Sequence, residues 1–231
     1  MCGRFTRSQS VPAIAEAFSV SEVSGDLAPS YNIAPTQQVA VIVSDGVRQL
    51  LAMRWGLVPS WAKDLSIGNK MINARAETIT EKASYRGAFK KRRCLVVADG
   101  FYEWQKLGDG KRPMYIRLKS GKPFGFAGLY EMWNSPEGEN ITTCTIVTTE
   151  ANELMQPIHD RMPVIIPKER EDYWLDPATA DRDSLLRLLK PYSADKMEAY
   201  PVSKLVNSPQ NNSPELIKRS PRGELKLEMK P

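Results

Sequence analysis

Cys94-Leu95-Val96-Val97-Ala98, then Tyr102-Glu103-Trp104-Gln105-Lys106, then Gly108-Asp109-Gly110, then Met114-Tyr115-Ile116-Arg117-Leu118 is the stretch that decides the fold. Short β-rich runs broken by a Gly-Asp-Gly turn read as strands, the second and third forming a hairpin. Phe124 to Tyr130 and Thr143 to Thr148 continue the pattern downstream. Upstream, Val39 to Val43, Ser44-Asp45-Gly46 and Val47 to Met53 read as strand, turn and strand. Met71 to Glu77, Met162 to Ile166 and Glu198 to Val202 are further strands.

Helices are expected between them. Ser10 to Phe18 has a serine N-cap, Pro12 in the first turn, and Val11, Ile14, Ala15 and Phe18 on one face. Thr80 to Lys91 carries a basic exposed side, and Glu150 to Gln156 and Pro167 to Trp174 are short. Asp183 to Lys190 turns Leu185, Leu186, Leu188 and Leu189 inward. Val20 to Pro35 and Ser60 to Lys70 read as loops. Helices and strands mix without a regular βαβ alternation, so the expectation is one α+β domain over residues 1–218, with a charged, mobile tail over 219–231.

The 231 residues are 42% apolar and 26% charged, enough for a substantial core. The net charge of +5 is compatible with a polyanionic partner without requiring one. No run reaches the ~18 apolar residues of a membrane span, and the N-terminus lacks a signal-peptide pattern. The expected location is the cytoplasm. Three scattered cysteines and one histidine give no metal-ligand spacing, so neither metal nor cofactor is expected.

Cys94 and Cys144 sit in apolar strand runs and read as small core residues; Cys2 falls outside any such run. If Met1 is removed, Cys2 carries a free amine beside its thiol. An aldehyde can then form an imine with that amine and close with the sulfur to a thiazolidine. The α-amine titrates near ~7.7–8.0 and an ordinary thiol near ~8.5. A frayed, inert terminus is the alternative.

Other candidates are individually ambiguous. His159 lies between an expected helix and a strand and is the only histidine, suited to proton transfer or to a structural hydrogen bond. Glu103, between Tyr102 and Trp104, is either a buried acid with a raised pKa or a solvent-facing strand residue. Asn73 in an apolar strand needs hydrogen-bond partners if buried. Arg4, Arg54, Arg75 and Arg161 recur near aromatics, as single-stranded nucleic acid would require. Trp55 and Trp104 read as core, and Trp61, among polar neighbours, as the better base-stacking candidate.

Met1-Cys2-Gly3-Arg4, Trp55-Gly56-Leu57-Val58-Pro59-Ser60-Trp61, Asn73-Ala74-Arg75-Ala76-Glu77-Thr78, Ala98-Asp99-Gly100-Phe101-Tyr102-Glu103-Trp104 and His159-Asp160-Arg161-Met162-Pro163, in this order, resemble the SRAP family. Tyr31-Asn32-Ile33-Ala34-Pro35, Pro201-Val202-Ser203, Asn207 and Asn211-Asn212 add to the likeness, which runs from Cys2 to about Leu216. The resemblance implies a barrel-like β core flanked by helices. It also implies a monomer that captures abasic sites in single-stranded DNA, nucleoid-associated when bound. By matching position it makes Cys2 the nucleophile, with Asn73, Glu103 and His159 around it. Arg4, Arg75 and Arg161 would hold phosphates, and Pro35 and Trp61 would wedge or stack near the lesion. One departure is Ala83, where relatives tend to carry arginine, leaving Lys82 or Arg86 as substitutes. The alternatives are a cysteine peptidase using Cys2, His159 and Asn73, and a non-catalytic reader of modified bases.

Overall fold

The computed structural model describes residues 2–25, 27–108 and 110–220; Asp109 of the expected hairpin turn and residues 221–231 of the expected tail lie outside them. The strands are β1 (Phe5–Arg7), β2 (Glu22–Val23), β3 (Ser30–Ile33), β4 (Gln38–Ser44), β5 (Arg48–Trp55), β6 (Asn73–Arg75) and β7 (Arg93–Ala98). They continue as β8 (Gly100–Leu107), β9 (Gly110–Leu118), β10 (Phe124–Asn134), β11 (Asn140–Glu150), β12 (Arg161–Pro163), β13 (Ile165–Ile166) and β14 (Met197–Pro201). The helices are α1 (Val11–Phe18), α2 (Ala83–Lys91), α3 (Glu171–Leu175) and α4 (Arg182–Leu188).

β4 pairs antiparallel with β5 and β7, β7 with β10, and β10 with β11. β11 then returns to β5 in parallel through Thr143↔Arg54 and Cys144↔Trp55. That last pairing closes a ring, the barrel core of an α+β domain. A second sheet, in the order β14-β9-β8-β1-β3, packs beside it.

The apolar run of β7 is unbroken because both its faces are covered. Cys94, Val96 and Ala98 join Phe5, Trp55, Phe101 and Phe126 in one buried cluster. Leu95 and Val97 join Ile14, Phe18, Phe89 and Trp174 of the helices in another. Phe5 lies between Trp55 and Phe126, with edge-on ring contacts at 5.1 and 5.8 Å, and so ties the second sheet to the barrel. Within the second sheet, Gly100 of β8 leaves room for Tyr115 of β9, since a Cβ there would sit 2.2 Å from the Tyr115 ring.

The expected helix over Ser10 to Phe18 forms from Val11, with the Ser10 hydroxyl accepting from the Ala13 N–H. Leu185 of α4 and Leu189, which caps its C-terminus, are buried, whereas Leu186 and Leu188 are only partly so. Three expectations are corrected. Val20 to Pro35 contains β2 and β3, whose pairings with β5 and β1 come from distant segments. Residues 153–158 form hydrogen-bonded turns instead of a helix, with Asn152 Oδ1 accepting from Met155 N–H and Pro157 lacking a donor. Met162 to Ile166 is split into two strands, β12 on β11 and β13 on β10.

Candidate functional site

The site begins where β1 meets β8. Phe5 pairs with Phe101, and Tyr102 N–H donates to Arg4 O at 2.9 Å, so this antiparallel ladder carries the chain N-terminal of Arg4 toward Glu103. Cys2 is fully buried, so the segment does not fray. β6 lies parallel to β11 with Asn73 opposite Ile146, and from there Asn73 Nδ2 donates to Cys2 O at 2.8 Å. Asn73 Oδ1 is buried with no hydrogen-bond partner among the described residues.

Glu103 is 4% exposed, which decides between its two sequence readings. It shares a strand face with Phe101, packed toward the barrel, while Tyr102 and Trp104 face a separate cluster with Tyr115 and Tyr200. Burial pushes its carboxyl up to about 7. The Cys2 thiol is pushed well above the usual range, first by burial and then by the Glu103 charge; the Arg4 backbone N–H opposes this weakly.

His159 follows the turns after β11. Its Nδ1 accepts the Arg161 backbone N–H at 3.0 Å, and Asp160 Oδ1 lies 2.8 Å from the same nitrogen. The first contact suits the neutral ring and the second the protonated one. Burial lowers the histidine pKa more than the Asp160 charge raises it, so the neutral ring prevails at pH 7.

The expected phosphate-binding arginines differ in their freedom. Arg75 is exposed and in no ion pair among the described residues. Arg4 donates to Asn32 Oδ1 at 2.8 Å and Val206 O at 2.9 Å, its guanidinium 5.8 Å from the Trp104 ring centre. Arg161 spends both terminal nitrogens on Glu77, at 2.6 and 3.0 Å, and on Thr148 O at 2.8 Å. Arg75 and Thr148 are register partners, so Arg75, Glu77 and Arg161 form one group.

Trp61 is 60% exposed, and Pro35 sits in the turn before Thr36, whose φ is 75°. No hydrogen bond or ring contact among the described residues joins either of them to Cys2. Lys82, Ala83 and Arg86 are exposed at the start of α2. Trp55 is core as expected, but Trp104 is half-buried. Its indole donates to Asn207 Oδ1 at 2.8 Å.

The asparagines of the sequence motifs have structural work. Asn32 Nδ2 donates to Ser208 O at 2.9 Å and Asn211 O at 2.8 Å, and Asn212 Oδ1 accepts from Tyr31 N–H at 2.6 Å. They bind the C-terminal segment against β3, behind Arg4. Sequence reasoning assigned no role to Glu77 or Asp160. Both stand inside the quoted motifs, but no periodicity marks a carboxylate that pairs across the fold. No group of three or more His, Cys, Asp or Glu among the described residues is arranged to hold a metal ion. No helix among them is long and apolar enough to cross a membrane.

A closed barrel with a buried cysteine near the N-terminus, held by an asparagine and beside a glutamate of raised pKa, defines a class of barrel proteins with a buried cysteine site. Comparison with known proteins narrows the class. The pattern of the family described as SOS response associated peptidase (SRAP) matches residues 1–209. The chain is 56% identical over 221 residues to abasic site processing protein YoqW of Bacillus subtilis (strain 168), covering 94% of this chain and 99% of that one. It is 36% identical over 226 residues to abasic site processing protein HMCES of Gallus gallus, covering 84% and 67%. A crystal structure of a protein from Bacteroides thetaiotaomicron superposes with a TM-score of 0.86 at 31% identity, covering 95% and 100%. The chain belongs to the SRAP family.

Proposed function

We propose that this protein captures abasic sites in single-stranded DNA by covalent attachment to Cys2, once Met1 has been removed. The observation that carries the reading is the environment of Cys2: fully buried, held through its carbonyl by Asn73, and beside a carboxyl group whose pKa is about 7. The relatives named as abasic site processing proteins support the substrate. Cytoplasmic residence and action as a monomer belong to the same proposal.

The ring-opened sugar presents an aldehyde, which the Cys2 amine attacks to give a carbinolamine. Glu103, about half protonated at neutral pH, donates a proton as water departs and the iminium forms. The sulfur then bonds to the same carbon, and the Glu103 carboxylate takes back the thiol proton. Amine, thiol and aldehyde thus become a thiazolidine plus one water. A thiol with a raised pKa needs such a base at hand. Neutral His159 exchanges a proton with the sugar 4′-oxygen, favouring the open form. Asn73 fixes Cys2 by its carbonyl and keeps Oδ1 for a donor on the amine or the sugar.

Arg4, Arg75 and Arg161 are assigned to phosphates, and Pro35 and Trp61 to the bases flanking the lesion. If the sulfur does not close the ring, β-elimination of the 3′-phosphate from the imine gives weak lyase activity. Peptidase chemistry is assigned to loss of Met1 alone, where the bond to be cut already adjoins Cys2, because burial closes the thiol to a peptide acting in trans.

The test incubates the processed protein with a single-stranded oligonucleotide carrying one abasic site. A heat-stable adduct with the mass of both partners less one water is expected. Cys2→Ser should give only an imine, trapped by a hydride reductant. A Cys2→Ser protein that cross-links stably without reductant would sink the thiazolidine mechanism.

A further inference from the structure

Arg161 is asked to hold a phosphate, yet its guanidinium is already engaged. Nη1 and Nη2 meet the two Glu77 carboxylate oxygens at 2.6 and 3.0 Å, and Nη2 also donates to Thr148 O at 2.8 Å. A carboxylate offers the arginine fork the same pair of oxygens that a phosphodiester offers. A phosphate therefore reaches Arg161 either by displacing Glu77 or by sharing the fork with a like charge.

The two partners are not equally fixed. The Arg161 side chain is 15% exposed and anchored to the β11 carbonyl, whereas Glu77 is 51% exposed on a single turn spanning Ala76–Thr78. Glu77 can swing into water and rehydrate while Arg161 stays. Arg75, exposed and two residues earlier, stands beside the same place through its register with Thr148. A phosphate arriving there would meet two cations once the carboxylate has left, and a net single positive charge before.

The geometry points to Glu77 as a specificity-determining residue, whose carboxylate occupies the Arg161 fork as a surrogate phosphate that a DNA strand must displace. The inference rests on the single-stranded DNA reading given above. Its consequence is weaker reversible binding to undamaged strands, which lack the aldehyde that makes capture irreversible.

The test measures reversible binding of an undamaged single-stranded oligonucleotide as a function of salt. Glu77→Gln should bind several-fold tighter than wild type, with the log–log salt slope steeper by about 0.7, one further phosphate contact. Glu81→Gln is the control for net charge: Glu81 is exposed, lies four residues on, and forms no ion pair among the described residues. It should tighten binding less. The gain of Glu77→Gln should disappear in an Arg161→Gln background.

Glu77→Asp, too short to meet both nitrogens, should gain in part, and it serves if the glutamine variant folds poorly. Weaker binding by Glu77→Gln, or a gain equal to that of Glu81→Gln, or one that survives in the Arg161→Gln background, overturns the inference. Wild-type protein that binds no single-stranded DNA at any salt overturns the DNA reading itself, a different result.

Discussion

Replacing Glu103 by glutamine tests whether the carboxyl at the centre of the site is held protonated by the fold. The side chain is 4% exposed, and burial moves its pKa from 4.5 to about 7. The folded protein therefore binds this proton more tightly than the unfolded chain does. Its contribution to stability is fully present below pH 4.5 and is lost as the pH rises through 7. At about 1.4 kcal/mol per pH unit, the loss comes to about 3 kcal/mol overall, of which about 2.5 falls between pH 5 and 8.5.

Glutamine keeps the shape and removes the titration. The stability of Glu103→Gln relative to wild type should therefore rise by about 2.5 kcal/mol from pH 5 to 8.5. Urea unfolding of both proteins, matched for the presence of Met1 by intact mass, measures this difference. A difference that stays constant within about 0.5 kcal/mol would refute the reasoning, because Glu103 would then ionise in the fold as it does in water. Cross-linking by the same variant should be slow at every pH and lack the alkaline fall expected of wild type above about 7.

Asn73→Ala removes the 2.8 Å bond to the Cys2 carbonyl and should slow adduct formation about tenfold, as expected for loss of about 1–2 kcal/mol of positioning. Single-turnover gels read that rate, with circular dichroism confirming the fold. Gly100→Ala drives a methyl group to 2.2 Å from the Tyr115 ring and should cost at least about 2 kcal/mol in urea unfolding. Arg75→Glu should weaken single-stranded DNA binding and flatten its salt dependence by about 0.7–1.4 in the log–log slope, with the loss largest at low salt. An unchanged slope removes Arg75 from the DNA face.

The sequence by itself determined the strand-rich α+β class, most of the longer strands and the serine-capped first helix, and it singled out Cys2 from the two core cysteines. It did so because apolar periodicity and caps are local signals. Only the tertiary structure decided what covers each face. Alternation showed that Glu103 opposes Tyr102 and Trp104, but not that the barrel buries the Phe101 side too.

β1 and β3 are too short to announce themselves; pairing with each other, and of β1 with β8, makes them strands. The parallel contact of β5 with β11 that closes the ring joins residues about 90 positions apart, and no local pattern encodes it. The same holds for the Asn73 grip on Cys2 and the Glu77 grip on Arg161, 71 and 84 positions apart. A hydrogen bond specifies only the two atoms it joins. Side chains far apart in sequence meet only after the backbone has placed them.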